Sequence, residues 1–221
     1  MRDFNEIFDI AANRHGGAEA LEAQLSRPLP KDEVAAIPED RWQAGMTKAI
    51  FNAGFHWKVI EAKWDGFEEA FHGFDVDRCA MMDDDWLDEL VSDTRIVRNG
   101  AKIVSVRDNA VFLKELRERD GAGKVFAEWP SDNYVGLLEL LKKGGNRLGG
   151  MSAQYFLRFA GVDSFILSND VNARLIAEGV IDKPATSKTT LRQVQEAFNG
   201  WKEESGENMT RLSRILAISM G

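Results

Sequence analysis

The stretch Arg147-Leu148-Gly149-Gly150-Met151-Ser152, followed later by Asp170, holds the residue types that could do chemistry. Two adjacent glycines remove the Cβ atoms that would keep an anion away from the backbone. "MSAQYFLRFAG" then reads as an amphipathic helix, whose first turn offers unpaired N–H groups and the positive end of a dipole. Lys142, Lys143 and Arg147 place cationic side chains just upstream. Gly149, Gly150 and Ser152, with Leu148 in the turn and Arg147 and Lys143 beside it, are therefore expected to hold a phosphate without reading a base. The plain alternative is a corner between two helices in which glycines only end the first. Asp170 ends the apolar run "SFILSN" and opens "VNARLIAEG". As structure it is an N-cap. As chemistry, a carboxylate at a helix start stabilises the positive character that builds on a sugar as its N-glycosidic bond breaks, and can orient the attacking water.

A second group lies in "NAGFHWKVIEAKW". Asn52, Phe55, His56 and Trp57 sit together at a helix boundary. Such aromatic clusters usually fill cores, but with an imidazole and an amide they also suit a pocket for a flat ligand. Other patterns carry less. "DGAGKVF" lacks the upstream glycine of a phosphate-binding loop and has Val after its Lys. The acids of "DDDWLDE" point around a helix, which makes them a cap and a solvated face. Cys79 is the one cysteine, and His15, His56 and His72 are scattered, so neither an internal disulfide nor a metal centre is expected.

The elements that must position these residues are helical. Phe4, Ile7, Phe8 and Ala11 share one stripe. "DRWQAGMTKAIFNAGF" and "HWKVIEAKWDGFEEAF" read as two helices broken near Gly54, and "IVRNGAKIVSVRDNAVFLKELRERDG" as one long helix ending at Gly121. "SDNYVGLLELLKKGG" starts at a Ser/Asp cap and stops at paired glycines. Strand signals are sparse: "KIVSV" alternates, but its flanks are helical. An all-α chain of about ten helices follows.

The net charge of −8 is unevenly spread. Residues 1–94 hold 9 basic and 21 acidic side chains, whereas residues 95–160, with the glycine turn, hold 12 basic and 7 acidic. The total argues mildly against a nucleic-acid binder, but the basic middle segment points the other way. The N-terminus "MRDFNEIF" is acidic where an export signal would be basic and then apolar, and no apolar run reaches a membrane span. A cytoplasmic protein without membrane partners is expected.

With these residues in view, "LGGMSAQYFLRFAG" and the Asp of "SFILSNDV" resemble the hairpin, second helix and catalytic aspartate of the helix-hairpin-helix DNA glycosylases. "AGFHWKVIEAKWDGFEEAFHGFD" and "DTRIVRNGAKIVSVRDNA" resemble segments of the 3-methyladenine DNA glycosylase I family, so that the likeness spans roughly residues 50–161. The resemblance implies two lobes around a central hairpin, one continuous over 50–161 and the other built from 1–49 plus 162–221. It implies an enzyme that flips a damaged nucleotide out of duplex DNA and hydrolyses the bond to an alkylated purine such as 3-methyladenine; nothing in the sequence demands more than a monomer. Asp170 would be catalytic, and Trp57, His56, Phe55 and Asn52 would line the base pocket. No cofactor is implied for the chemistry.

The departures are specific. The family's zinc-binding cysteines and histidines are missing here. Ala49 stands where its base-recognising glutamate would be, eight residues before Trp57. Met151 stands where bifunctional members of the superfamily carry a nucleophilic lysine, which implies hydrolysis without lyase activity. The rival expectation is a non-catalytic, structure-specific DNA-binding protein of the same fold.

Overall fold

The computed structural model describes residues 1–220 and is helical throughout, with no strand among the described residues. In chain order the helices are α1 (Phe4–Arg14), α2 (Ala18–Glu22), α3 (Lys31–Ala35), α4 (Glu39–Asn52), α5 (Trp57–Ala62), α6 (Trp64–Ala70), α7 (Val76–Ala80), α8 (Asp84–Ser92), α9 (Gly100–Arg117) and α10 (Ala122–Glu128). They continue with α11 (Tyr134–Gly144), α12 (Met151–Phe159), α13 (Asn169–Ala177), α14 (Lys188–Ser205) and α15 (Met209–Ile218). That is more than the ten expected. The surplus includes α7 and α10, of two turns or fewer and so too short to show a 3.6-residue period, and the division of "HWKVIEAKWDGFEEAF" into α5 and α6. The alternating "KIVSV" lies inside α9, as its flanks indicated.

The chain forms two compact units. Of the described residues, one comprises 1–29, 129–137 and 161–220; the other comprises 30–128 and 138–160. The division differs from the expected boundary at 49/50 for a physical reason: that boundary would cut α4, one hydrogen-bonded helix from Glu39 to Asn52. Residues 129–137 also leave the otherwise continuous lobe. There Gln195 of α14 accepts from the Val135 N–H at 2.9 Å and donates to the Ser131 carbonyl at 3.1 Å.

The unit of residues 30–128 and 138–160 is organised by α4 and α9. Buried Trp42 of α4 meets Phe126 and Phe156 edge-on, at 4.9 and 5.7 Å between centroids. Aromatic packing of this kind contributes about 0.5–1.5 kcal/mol per pair beyond area burial. On α9 the buried face contains Ile103, Val106, Ala110, Phe112, Leu113 and Leu116. The same helix also buries three polar residues, Lys102, Ser105 and Asn109, which the hydrophobic pattern does not explain. In the other unit α15 packs against α1, α13 and α14, and Trp201 of α14 donates from Nε1 to the Arg2 carbonyl at 3.1 Å. No helix among the described residues is long and apolar enough to cross a membrane.

Candidate nucleic-acid interface

The hairpin is the turn between α11 and α12. α11 ends at Gly144, where a Cβ would collide with the Phe112 ring, so only glycine lets the turn lie this close to α9. Asn109 then grips the turn from both sides: its Oδ1 accepts from the Asn146 N–H at 2.8 Å, and its Nδ2 donates to the Asn146 carbonyl at 3.1 Å. Asn146 Nδ2 in turn donates to Asp108 at 2.6 Å. Buried backbone groups need such partners, and here a single amide on α9 supplies two of them.

Beyond Asn146 the turn opens outward. Arg147 is exposed, has a left-handed φ of +61°, and donates from Nε to the Ala101 carbonyl at 3.2 Å. Leu148 is fully buried, so its side chain anchors the turn and only its backbone is available to a ligand. Gly150 has φ +56° and ψ −129°, a conformation essentially restricted to glycine, and nothing lies within 4 Å of where its Cβ would stand. No side chain caps α12, so its first N–H groups, including that of Ser152, keep the unpaired character expected from the sequence. Gly149 sits between Leu148 and this helix start, Lys142 and Lys143 are exposed at the end of α11, and Lys143 approaches Glu139 only at 4.0 Å.

The same unit carries the aromatic group. α4 ends at Asn52, Gly54 turns the chain with φ +79°, and α5 starts at Trp57. His56 is the N-cap of α5: its Nδ1 accepts from the Lys58 N–H at 3.3 Å. Its ring lies nearly parallel to that of Trp57, at 6.3 Å. Trp57 is 57% exposed and Phe55 41%, so both stand at the surface as a tip rather than filling a core. Asn52 is half-buried behind them, and its Oδ1 is a buried acceptor with no hydrogen-bond partner among the described residues. Beneath the tip lies Lys102 of α9, whose Nζ donates to the Ala53 carbonyl at 2.6 Å and the Phe51 carbonyl at 3.2 Å. Burial, and then the positive charge of Arg147, push this ammonium below the usual lysine range. Hairpin and tip are thus both fastened to α9, through Asn109 and Lys102.

Asp170 lies in the other unit. The run leading to it is an extended segment, not a strand; its N–H groups are satisfied by hydroxyls of α15, Ser164 to Thr210 Oγ1 at 3.2 Å and Ile166 to Ser213 Oγ at 2.9 Å. Asp170 is not the N-cap of α13. Ser168 is, with its Oγ accepting from the Val171 N–H at 3.2 Å. A cap freed from that duty leaves Asp170 in the first turn, exposed, with no hydrogen bond or ion pair to another described residue. Buried Asn172 fixes the helix start by donating to the carbonyls of Leu167 at 2.8 Å and Ser168 at 3.0 Å. The helix dipole favours an anion at this position.

Asn109 and Lys102 do not stand out in the sequence by their own chemistry. Their signal is a polar residue on the apolar face of α9, which calls for a specific partner. As for metals, no group of three or more His, Cys, Asp or Glu among the described residues could hold an ion. Cys79 is buried, donates to the Phe71 carbonyl at 3.7 Å, and has its thiol pushed up to about 12, chiefly by burial. The donor set does not fit the zinc that the resemblance would bring.

Residues 43–131 match the methyladenine glycosylase family. This chain resembles the methyladenine glycosylases. The match lies mostly in the unit that carries the aromatic tip and ends before the hairpin and Asp170. A variant of 3-methyladenine DNA glycosylase I, solved in complex with 3-methyladenine, aligns over 57% of this chain and 78% of its own at 21% identity and a TM-score of 0.51. That likeness establishes a shared helical glycosylase fold. Another 3-methyladenine DNA glycosylase I structure aligns over 55% and 78% at 21% identity and a TM-score of 0.49. An 8-oxoguanine glycosylase/lyase from Methanocaldococcus jannaschii, in complex with a 15mer DNA containing 8-oxoguanine, aligns over 98% and 90% at 13% identity and a TM-score of 0.48. No curated protein sequence matches. Together the family match and the fold support a methyladenine glycosylase-like protein of an all-helical glycosylase fold.

Proposed function

We propose that the protein is a monofunctional DNA glycosylase that hydrolyses the N-glycosidic bond of alkylated purines such as 3-methyladenine. The observation that carries this reading is the fastening of two ligand-ready features to one helix. The uncapped start of α12, flanked by exposed Arg147, suits a phosphate, and the Phe55–Trp57 tip suits an unstacked base. An alkylated purine carries positive charge, which weakens the base–sugar bond and favours stacking on an aromatic face. Asp170 supplies the anion that stabilises the sugar cation and orients water. Its oxygens are uncommitted to any described residue, as such a role requires. Met151 at the first position of α12 has no amine, so no Schiff base forms there and the strand stays intact. The protein acts as a monomer on damaged duplex DNA, and the reaction needs no cofactor.

The test is incubation of the protein with methylated duplex DNA and identification of the released bases by mass spectrometry. Release of an alkylpurine, with no strand cleavage and no borohydride-trapped adduct, is the expected result. Ala49, where an acid would read the base, favours a second reading of DNA binding without catalysis. Salt-sensitive binding with no base released from methylated, deaminated or oxidised duplexes would establish it instead.

A further inference from the structure

Lys102 is 7% exposed and pairs with no carboxylate among the described residues. Burying an unpaired ammonium is costly, and a methionine of similar length would fill the same space without that cost. The ammonium is directed at the end of α4, where the Phe51 and Ala53 carbonyls have lost their helical partners. It also lies 4.7 Å from the centre of the Phe55 ring and 5.7 Å from that of Phe51. The loop it touches has little else to hold it. The Ala53 and Phe55 N–H groups make long bonds of 3.3 and 3.2 Å to Ile50 and Asn52, and Gly54 between them is left-handed. The 2.6 Å bond from Lys102 to Ala53 is the shortest of the contacts holding this loop.

We infer that Lys102 is the positioning residue of the aromatic tip, holding the Ala53–His56 loop, and with it Phe55 and Trp57, in the pose that receives a flipped base. Its effect on base excision rests on the glycosylase reading above; the anchoring itself does not. A misplacement of about 1 Å at such a site costs about 100-fold in rate, so an anchor outside the contact zone still controls turnover.

The experiment compares wild type, Lys102→Met and Lys102→Arg by hydrogen exchange of the free proteins and by single-turnover base release from methylated duplex. In Lys102→Met the amides of Ala53 and Phe55 should exchange at least about tenfold faster, while the middle of α9 keeps its protection. Base release should fall by about 100-fold, with affinity for undamaged duplex unchanged, and Lys102→Arg, which keeps donors and charge, should recover part of both. Unchanged exchange at Ala53 and Phe55 overturns the anchoring; faster exchange with unchanged release overturns the positioning role. Nitrogen-detected NMR of the lysine ammonium groups in wild type decides the anchoring should Lys102→Met not fold. One slowly exchanging ammonium is expected, and its absence would count against the inference. Wild type that releases no base sinks the glycosylase reading, whereas the exchange and NMR results still decide the anchor.

Discussion

The starts of α12 and α13 are both helix N-termini at the ends of irregular segments, yet they are finished in opposite ways. At α12 no side chain caps the helix, Gly150 adopts a conformation closed to other residues, and exposed Arg147 stands beside the turn. At α13 Ser168 caps the helix, Asn172 ties down the preceding carbonyls, and a carboxylate with no described partner projects from the first turn. One end leaves its backbone donors without a side-chain cap. The other satisfies its donors locally and presents a negative charge of its own. Under the proposed function the same dipole receives an anion in one place and holds one in the other. The contrast teaches that the capping residue, rather than the helix, decides which of the two a terminus does.

The largest effect should come from removing the charge at α13. Asp170→Asn keeps size and polarity, and single-turnover base release should drop by about 100–1000-fold, the scale of losing one electrostatic partner of a transition state. Next is Gly150→Val, which forces a branched side chain into φ +56° and ψ −129°. It should store about 1–3 kcal/mol of strain, seen as a lower Tm, and should weaken DNA binding in filter or anisotropy titrations without a change of the released base. Ser168→Ala removes the cap of α13 and should cost about 1 kcal/mol by urea unfolding, leaving DNA affinity as it was. An affinity loss in Ser168→Ala as large as in Gly150→Val would erase the distinction between the two termini.

The smallest effect is expected at the far end of α13. Burial alone would raise the Glu178 carboxyl, but bonds from the Arg2 N–H and guanidinium and from Arg174 hold it below its ordinary value of 4.5. A carboxyl lowered by folding adds stability above its unfolded pKa and loses it as pH falls through the folded one. The gap in unfolding free energy between wild type and Glu178→Gln should therefore be full at neutral pH and shrink as pH falls below about 4.5. A gap that does not change with pH would assign Glu178 to packing alone.

What the sequence made legible was local. The glycine pair before "MSAQYFLRF" announces an open helix start, and an aspartate after an apolar run announces an acid at another. Both readings need only neighbouring residues. Asn109 and Lys102 were hidden because each acts on a segment remote in sequence, Asn146 and the end of α4. Their partners become visible only when α9 is packed between the two. Leu148 takes its place among the phosphate contacts from the turn, and its apolar side chain announces the burial that leaves only its backbone to face a ligand. Ser168, two residues ahead of Asp170, is the better cap by side-chain type and carries the cap in the structure.

The most direct measurement is base release from methylated duplex DNA by wild type and Asp170→Asn side by side, with the affinity of each for the same duplex. The account predicts that wild type frees an alkylpurine while the variant binds equally well and frees almost none. Equal release by the two proteins would contradict it, because the charge at the start of α13 would then have no part in the chemistry.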